Sequence, residues 1–361
     1  ALEKRLDENE KQLEATAEHL ESVSVAPRVN ASKTTNSTGR MFNFQNTTMG
    51  GYGELHYNNY EEKDATVDFH RFVLYFAHDF SNDVRFFSEF ELEHSLAGEG
   101  KPGEIELEQA YIEFDVNEST QTKAGLFLIP VGIINETHEP PTFFGVERNP
   151  VEKNIIPATW WEAGAAVNYN LTGGLRFDGA VTSGLNVDEN YSIRGGRQKV
   201  AKASAENLAY TGRVKYTGIN GLELASTLQY QTDVTQSQAG VDTADATLLE
   251  AHAIYKINDF SVRALYANWD ISGAEAEAKG RDQQTGWYLE PSYMITEKVG
   301  AFARYAEYDN NAGDANETKV TSSSIGMNYY PHPNVVFKFD LEDLGGAKDS
   351  KGFNLGVGYQ F

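Results

Sequence analysis

From residue 48 to the C-terminus, apolar and polar side chains alternate with a period of two. At the end of the chain Phe353, Leu355, Val357, Tyr359 and Phe361 alternate with Gly352, Asn354, Gly356, Gly358 and Gln360. Val335, Phe337, Phe339 and Leu341 alternate with Val336, Lys338, Asp340 and Glu342; Leu222, Leu224, Leu228 and Tyr230 alternate with Glu223, Ala225, Gln229 and Gln231. Successive side chains on a strand point to opposite faces, so each run predicts a strand with one apolar and one wet face. About sixteen strands can be placed this way. They lie near 48–58, 65–78, 83–95, 104–116, 121–133, 158–170, 174–185, 206–217, 221–233, 246–257, 259–270, 284–295, 298–310, 319–330, 334–344 and 352–361.

The connections between these strands sort by parity. Every second one is tight: Ser81-Asn82-Asp83, Asn117-Glu118-Ser119-Thr120, Leu171-Thr172-Gly173, Gly218-Ile219-Asn220, Asn258-Asp259, Thr296-Glu297 and His332-Pro333. These are turn-forming residues. Those between are mostly longer and richer in Gly and charge, as at 96–103, 134–157, 186–205, 234–245, 271–283 and 311–318. Short turns at one end, long loops at the other and an even strand number predict an all-β fold, an antiparallel 16-stranded transmembrane β-barrel. A soluble sandwich has no reason to sort its loops. Aromatic pairs near strand ends (Trp160 and Trp161, Trp287 and Tyr288, Tyr329 and Tyr330, Tyr359 and Phe361) are expected to form interfacial girdles. Glu106 and Glu108 share parity with Ala110, Ile112 and Phe114, a phase slip that points to a β-bulge, and Pro291 interrupts one strand.

Residues 1–23 follow a different period. Leu6, Leu13 and Leu20 recur at one heptad position and Leu2, Asn9, Thr16 and Val23 at the other, with Glu, Lys, Arg, Asp and Gln between them. This predicts a short α-helical coiled coil, an oligomerisation segment whose polar Asn9 and Thr16 set register. A single amphipathic helix lying on its own domain is the other reading. Residues 24–47 are rich in Ser, Thr and Asn and read as a flexible linker, so that the coil stands off on the periplasmic side of a barrel spanning 48–361.

Composition narrows the function classes. The chain has 361 residues, no Cys and a net charge of −23. No stretch of eighteen apolar residues provides a membrane-spanning helix, and a mean hydropathy of −0.49 suits strands that average lipid and lumen residues. The acidity argues against a nucleic-acid partner. The chain opens Ala-Leu-Glu-Lys, as an exported protein without its signal would, or a cytosolic one without its Met. No G-x-S-x-G, H-E-x-x-H or phosphate-binding loop occurs, and Pro140-Pro141 after His138-Glu139 forbids a zinc-binding helix. No cofactor, metal or catalytic residue is expected, and the chain is read as not an enzyme.

Six segments carry a family resemblance. Gly50-Gly51-Tyr52-Gly53-Glu54-Leu55-His56-Tyr57, Asp68-Phe69-His70-Arg71-Phe72 and Val84-Arg85-Phe86-Phe87-Ser88-Glu89 resemble the phosphate-selective porin O and P family. So do Leu107-Glu108-Gln109-Ala110-Tyr111, Ala124-Gly125-Leu126-Phe127 and Thr159-Trp160-Trp161-Glu162-Ala163-Gly164. The resemblance implies a barrel that forms a homotrimer in the bacterial outer membrane, among lipid and lipopolysaccharide, with the third external loop folded inward. It implies passive diffusion of small hydrophilic solutes, including anions such as phosphate. The N-terminal coil looks like the extensions of trimeric dicarboxylate-type porins.

Strand phase nominates pore-lining basic residues: Arg71, Arg85, Lys123, Arg176, Arg213, Lys215, Arg263, Arg304 and Lys338. Acids predicted on the same face are at least as many, among them Glu54, Glu89, Glu91, Glu162, Asp178, Glu250, Glu290 and Asp340. The connection 134–157 is the candidate constriction, stiffened by Pro140-Pro141, anchored by Phe143 and Phe144, and carrying Glu136, His138, Glu139, Glu147 and Arg148. Its other reading is a packed external cap. A non-conducting surface barrel, serving as adhesin or structural envelope protein, is the rival to a channel.

Overall fold

The computed structural model describes residues 46–61 and 63–361, so the predicted coil at 1–23 and almost all of the linker lie outside the described residues. Strands β1 (Thr47–Tyr60), β2 (Thr66–Asp79), β3 (Val84–Glu93), β4 (Ile105–Asn117) and β5 (Thr120–Leu128) come first. Then come β6 (Trp161–Leu171), β7 (Leu175–Thr182), β8 (Ala209–Ile219), β9 (Leu222–Gln231), β10 (Asp245–Ile257) and β11 (Phe260–Ser272). The last are β12 (Gln283–Thr296), β13 (Val299–Asp309), β14 (Val320–His332), β15 (Val335–Gly346) and β16 (Ser350–Gln360). Each strand pairs antiparallel with its sequence neighbours, and β1 pairs with β16 to close the barrel. The backbones of Gly51 and Phe361 seal that seam with reciprocal bonds of 2.9 and 2.8 Å. Closure leaves no strand edge unpaired, the condition for a sheet to cross a lipid bilayer.

The two faces are reversed relative to a soluble protein. On β9 Leu224, Leu228 and Tyr230 are exposed while Thr227, Gln229 and Gln231 are buried. On β15 Phe337, Phe339 and Leu341 face out and Val336, Lys338 and Asp340 face in. The apolar outer face is the lipid-facing one.

The predicted phase slip is a bulge in β4: Gln109 pairs with Glu89 but Leu107 with Phe90, leaving Glu108 as the extra residue. Pro291 sits within β12 opposite Val262, with the pairing to β13 resuming at Ser292.

Two expectations are corrected. β5 stops at Leu128, so the long connection is 129–160 rather than 134–157. Pro130 has no N–H for the ladder, and the apolar run Ile129–Ile134 is buried without alternation. Trp160 and Trp161 do not belong to a girdle. Both are buried, and Trp160 packs its ring 6.0 Å from that of Trp269 on the inner face of β11. Of the pair Trp287 and Tyr288, only Trp287 faces out, because neighbours on a strand must point oppositely.

The hydrophobic core therefore lies inside the barrel. Ile133, Ile155, Ile156 and Trp160 of the long connection pack with Val187 and Ile193 of connection 183–208 against Leu248, Leu265 and Trp269 of the wall.

Candidate functional site: the lumen and the inward segment 129–160

The segment 129–160 leaves the wall through a tied neck. Ile129 N–H donates to the Trp160 carbonyl at 3.0 Å. The fully buried Asn135 amide donates to the carbonyls of Ile129 and Trp160 at 2.8 and 3.0 Å and accepts from Trp160 N–H at 2.7 Å. One side chain thus satisfies backbone groups at both ends, which burial would otherwise leave unpaired.

Glu152 provides a second tie. It lies in helix α1 (Pro150–Asn154), which Asn149 caps by accepting from Val151 N–H at 2.9 Å and which Pro150 opens. Its carboxylate accepts from Ile133 N–H at 2.9 Å, Ile134 N–H at 2.7 Å and the Tyr288 hydroxyl at 2.7 Å. Burial pushes this carboxyl above its ordinary range, and the three donors oppose that. Gly132 supports the approach: its φ is +71°, and a Cβ there would meet Glu152 Oε2 at 2.8 Å.

Beyond the neck the segment crosses the lumen and is bonded to the far wall. Arg71 on β2 donates to the His138 carbonyl at 2.7 Å and to Glu54 at 2.6 Å. Arg263 on β11 donates to the Thr142 carbonyl at 2.8 Å, and Arg304 on β13 to Glu290 at 3.2 Å and the Phe144 carbonyl at 3.5 Å. On β15 the Lys338 ammonium reaches the Phe143 and Gly145 carbonyls at 3.0 and 2.9 Å, and Asp340 accepts from Val146 N–H at 2.6 Å. Glu147 accepts from His56 and Asn58 of β1 at 3.0 and 3.1 Å. The turn Pro140–Thr142 presses on β16, where a Cβ at Gly358 would lie 2.3 Å from Pro140.

The nine predicted basic residues divide into two groups. Arg71, Arg213, Arg263, Arg304 and Lys338 hold the inward segment, Arg213 through an ion pair with Glu136 and a 2.8 Å bond to Asp178. Arg85, Lys123, Arg176 and Lys215 sit nearer the short turns and make no bond to it. Arg85 pairs with Glu113 and Asp115, Arg176 with Asp178 and Lys215 with Glu223, while Lys123 lies over the rings of Tyr111 and Phe127 at 5.2 and 4.8 Å.

The predicted loop residues face the wall more than open space. Burial alone would raise the Glu136 carboxyl, but Arg213 and Lys123 hold it at about 2. Burial likewise opposes ionisation of Glu147, and the bond and charge of His56 hold it well below the usual carboxylate range. His138 is buried near Glu89 and Glu108, and burial lowers its proton affinity. Glu139 is half-buried and lends its carbonyl to the Thr142 hydroxyl at 2.7 Å. Arg148 donates to the Thr159 hydroxyl at 2.5 Å.

Two basic residues escaped the sequence reading. Arg194 donates to the carbonyls of Lys153 and Ala158 at 2.6 and 3.0 Å, and Arg197 to those of Pro157 and Thr159 at 3.2 and 2.5 Å. They lie in a long polar connection with no period, which gave them no signal. Burial and their mutual repulsion with Arg148 weaken the charge of both. Among the described residues, none of these three arginines is ion-paired, and Glu91, Glu93, Glu106 and Glu108 lie within charge range of one or more of them, Glu106 being paired with Lys199.

Comparison with known proteins agrees with this architecture. The sequence profile of the family described as phosphate-selective porin O and P matches residues 28–346. A protein of Aquifex aeolicus (strain VF5) with no assigned function is 30% identical over 351 residues, covering 87% of this chain and 80% of that one. Among solved structures, an anion-selective porin from Comamonas acidovorans superposes with a TM-score of 0.63 at 13% identity, covering 87% of this chain and 99% of that chain. The outer membrane channel DcaP of Acinetobacter baumannii gives 0.60 at 12% identity, with 87% and 97% covered. OmpF of Salmonella typhi, in complex with daunomycin, gives 0.63 at 14% identity, with 89% and 99% covered. At such identities these structures speak for the fold alone.

Proposed function

Because this chain belongs to the phosphate-selective porin O and P family and is an outer-membrane diffusion porin, we propose that segment 129–160 sets both the width and the field of its channel. The carrying observation is the run of bonds from Glu136 to Glu147 that fastens the segment across the lumen to β1, β2, β8, β11, β13 and β15. An external cap would instead bond to neighbouring loops. A sixteen-stranded barrel without such a segment encloses a wide aqueous channel.

The solutes are small hydrophilic molecules, with preference for anions bearing several oxygens, such as phosphate or dicarboxylates. Arg148, Arg194 and Arg197 supply planar donors on one side of the passage. Glu91, Glu93, Glu106 and Glu108 line the other, so the field is transverse and net ion selectivity is low. Pore lining by Arg85, Lys123, Arg176 and Lys215 continues a basic row toward the short-turn end. The reversal potential in a KCl gradient tests this: a value near zero or weakly anionic is expected, with chloride current reduced by added phosphate and that reduction lost in Arg194→Gln/Arg197→Gln. Strong cation selectivity overturns the anion reading, and a silent barrel overturns the channel itself in favour of a structural role.

The chain assembles as a homotrimer, embedded in lipid and lipopolysaccharide, with the seam of Leu2, Leu6, Leu13 and Leu20 as a periplasmic assembly aid. Removing residues 1–23 is expected to weaken oligomers on mild gels; unaltered trimers would make the coil accessory.

A further inference from the structure

Apart from the channel groups, three side chains of metal-binding type converge at the long-loop end of β2 and β3. Asp68 and His70 come from β2, and His94 directly follows β3. Strict alternation would put Asp68 and His70 on the inner face and send Arg71 outward. Here Glu54 pairs with Arg71 but His56 pairs with Asp68, so β2 carries a bulge at Phe69 and His70. The bulge keeps His70 on the inner face with Asp68 while Arg71 also turns in, and the His70 ring stacks on that of His56 at 4.8 Å. His94 and Ser95 adopt φ of +51° and +56°, a left-handed region that non-glycine residues seldom enter. This turn brings His94 back over β2, its N–H bonded to the His70 carbonyl at 3.1 Å and its ring edge-on to His70 at 5.5 Å.

The two imidazoles then aim at one oxygen. His94 Nδ1 lies 2.8 Å and His70 Nδ1 3.3 Å from Asp68 Oδ2, and one ligand atom from each of the three side chains lies within 4.8 Å of the others. Zinc–ligand bonds of about 2.0–2.1 Å in a tetrahedron give ligand–ligand edges of about 3.3 Å. The two spacings to Asp68 Oδ2 lie within about half an ångström of that edge. Side-chain exposures of 29% for Asp68, 26% for His70 and 32% for His94 leave an approach from water and room for a fourth, solvent ligand. Two nitrogens and one oxygen suit a borderline-soft dication, whereas calcium and magnesium take oxygen ligands.

We propose that Asp68, His70 and His94 form a binding site for a divalent transition-metal cation of the zinc class at the mouth of the barrel. The ion would join β2 to the start of connection 94–104 and add positive charge to one edge of the entrance. The folded full-length protein in detergent is titrated with Co2+, read by visible absorption, and with Zn2+, read by calorimetry. One ion per chain is expected, with the intense absorption of a low-coordinate cobalt site. His94→Gln is expected to weaken binding by on the order of 100-fold and His70→Gln/His94→Gln to abolish it. His78→Gln, a histidine near the short turns of β2, is expected to bind as the unaltered protein does. Heat-modified gel mobility shows that each variant is folded. Absence of binding to the unaltered protein, or undiminished binding by the folded double variant, overturns the proposal.

Discussion

The ammonium of Lys338 lies 2.9 Å from the carbonyl oxygen of Gly145, 193 residues away in the chain, and its charge sits 3.6 Å from the centre of the Phe143 ring. A side chain of the wall thereby holds the crest of the inward segment. Hydrogen bonds to a buried charged group contribute about 1.5–3 kcal/mol, and their removal leaves two carbonyls without a donor. Lys338→Met is expected to lower stability by about 2–4 kcal/mol and to raise open-channel current noise. Thermal unfolding in detergent and single-channel recording check the two effects.

Glu152 ties the neck to α1 and to Tyr288 through three accepted bonds. Glu152→Ala strands the N–H groups of Ile133 and Ile134 in an apolar interior. The cost is expected at about 3–5 kcal/mol, with the barrel intact and the segment more readily cleaved by protease. Limited proteolysis followed by mass mapping to 129–160 reads this directly.

Acidification should release the segment. Glu136 titrates at about 2 in place, against about 4.3 for a free glutamate. A carboxyl with a depressed folded-state value contributes fully above the free value and loses that contribution as pH falls through the folded one. Conductance is therefore expected to be steady above about pH 4.3 and to rise between there and about pH 2. Glu136→Gln should show the raised conductance at neutral pH and lose the acid response.

The outward apolar face makes its own prediction. Leu228 is 53% exposed at mid-strand while its neighbour Gln229 is 2% exposed inside. Arg at a lipid-facing midplane position costs about 2–4 kcal/mol. Leu228→Arg should reduce folding into bilayers by that amount, whereas Leu224→Phe should be nearly neutral. Urea titration of the vesicle-inserted protein measures both.

The strands were legible because alternation is local. A reader needs only Phe353 to Phe361 to place β16, and Glu106 with Glu108 to suspect the bulge in β4. The inward segment was partly legible from its length and its prolines. Its entry is not legible, because the apolar run Ile129–Ile134 has the composition of a strand and only a core inside the lumen explains its burial. The same holds for Trp160, whose partner Trp269 lies far along the chain. Nothing local marks Arg194 and Arg197, which earn their place only through carbonyls presented by residues 153–159.

By the proposed function, the segment held by Arg71, Arg213, Arg263, Arg304 and Lys338 narrows the pore. Single-channel conductance of the unaltered protein and of a variant lacking residues 137–147, measured in the same planar bilayer and salt, tests it most directly. A clear rise in conductance with retained barrel stability is the predicted result. An unchanged conductance in the folded variant would show that the segment does not constrict the pore.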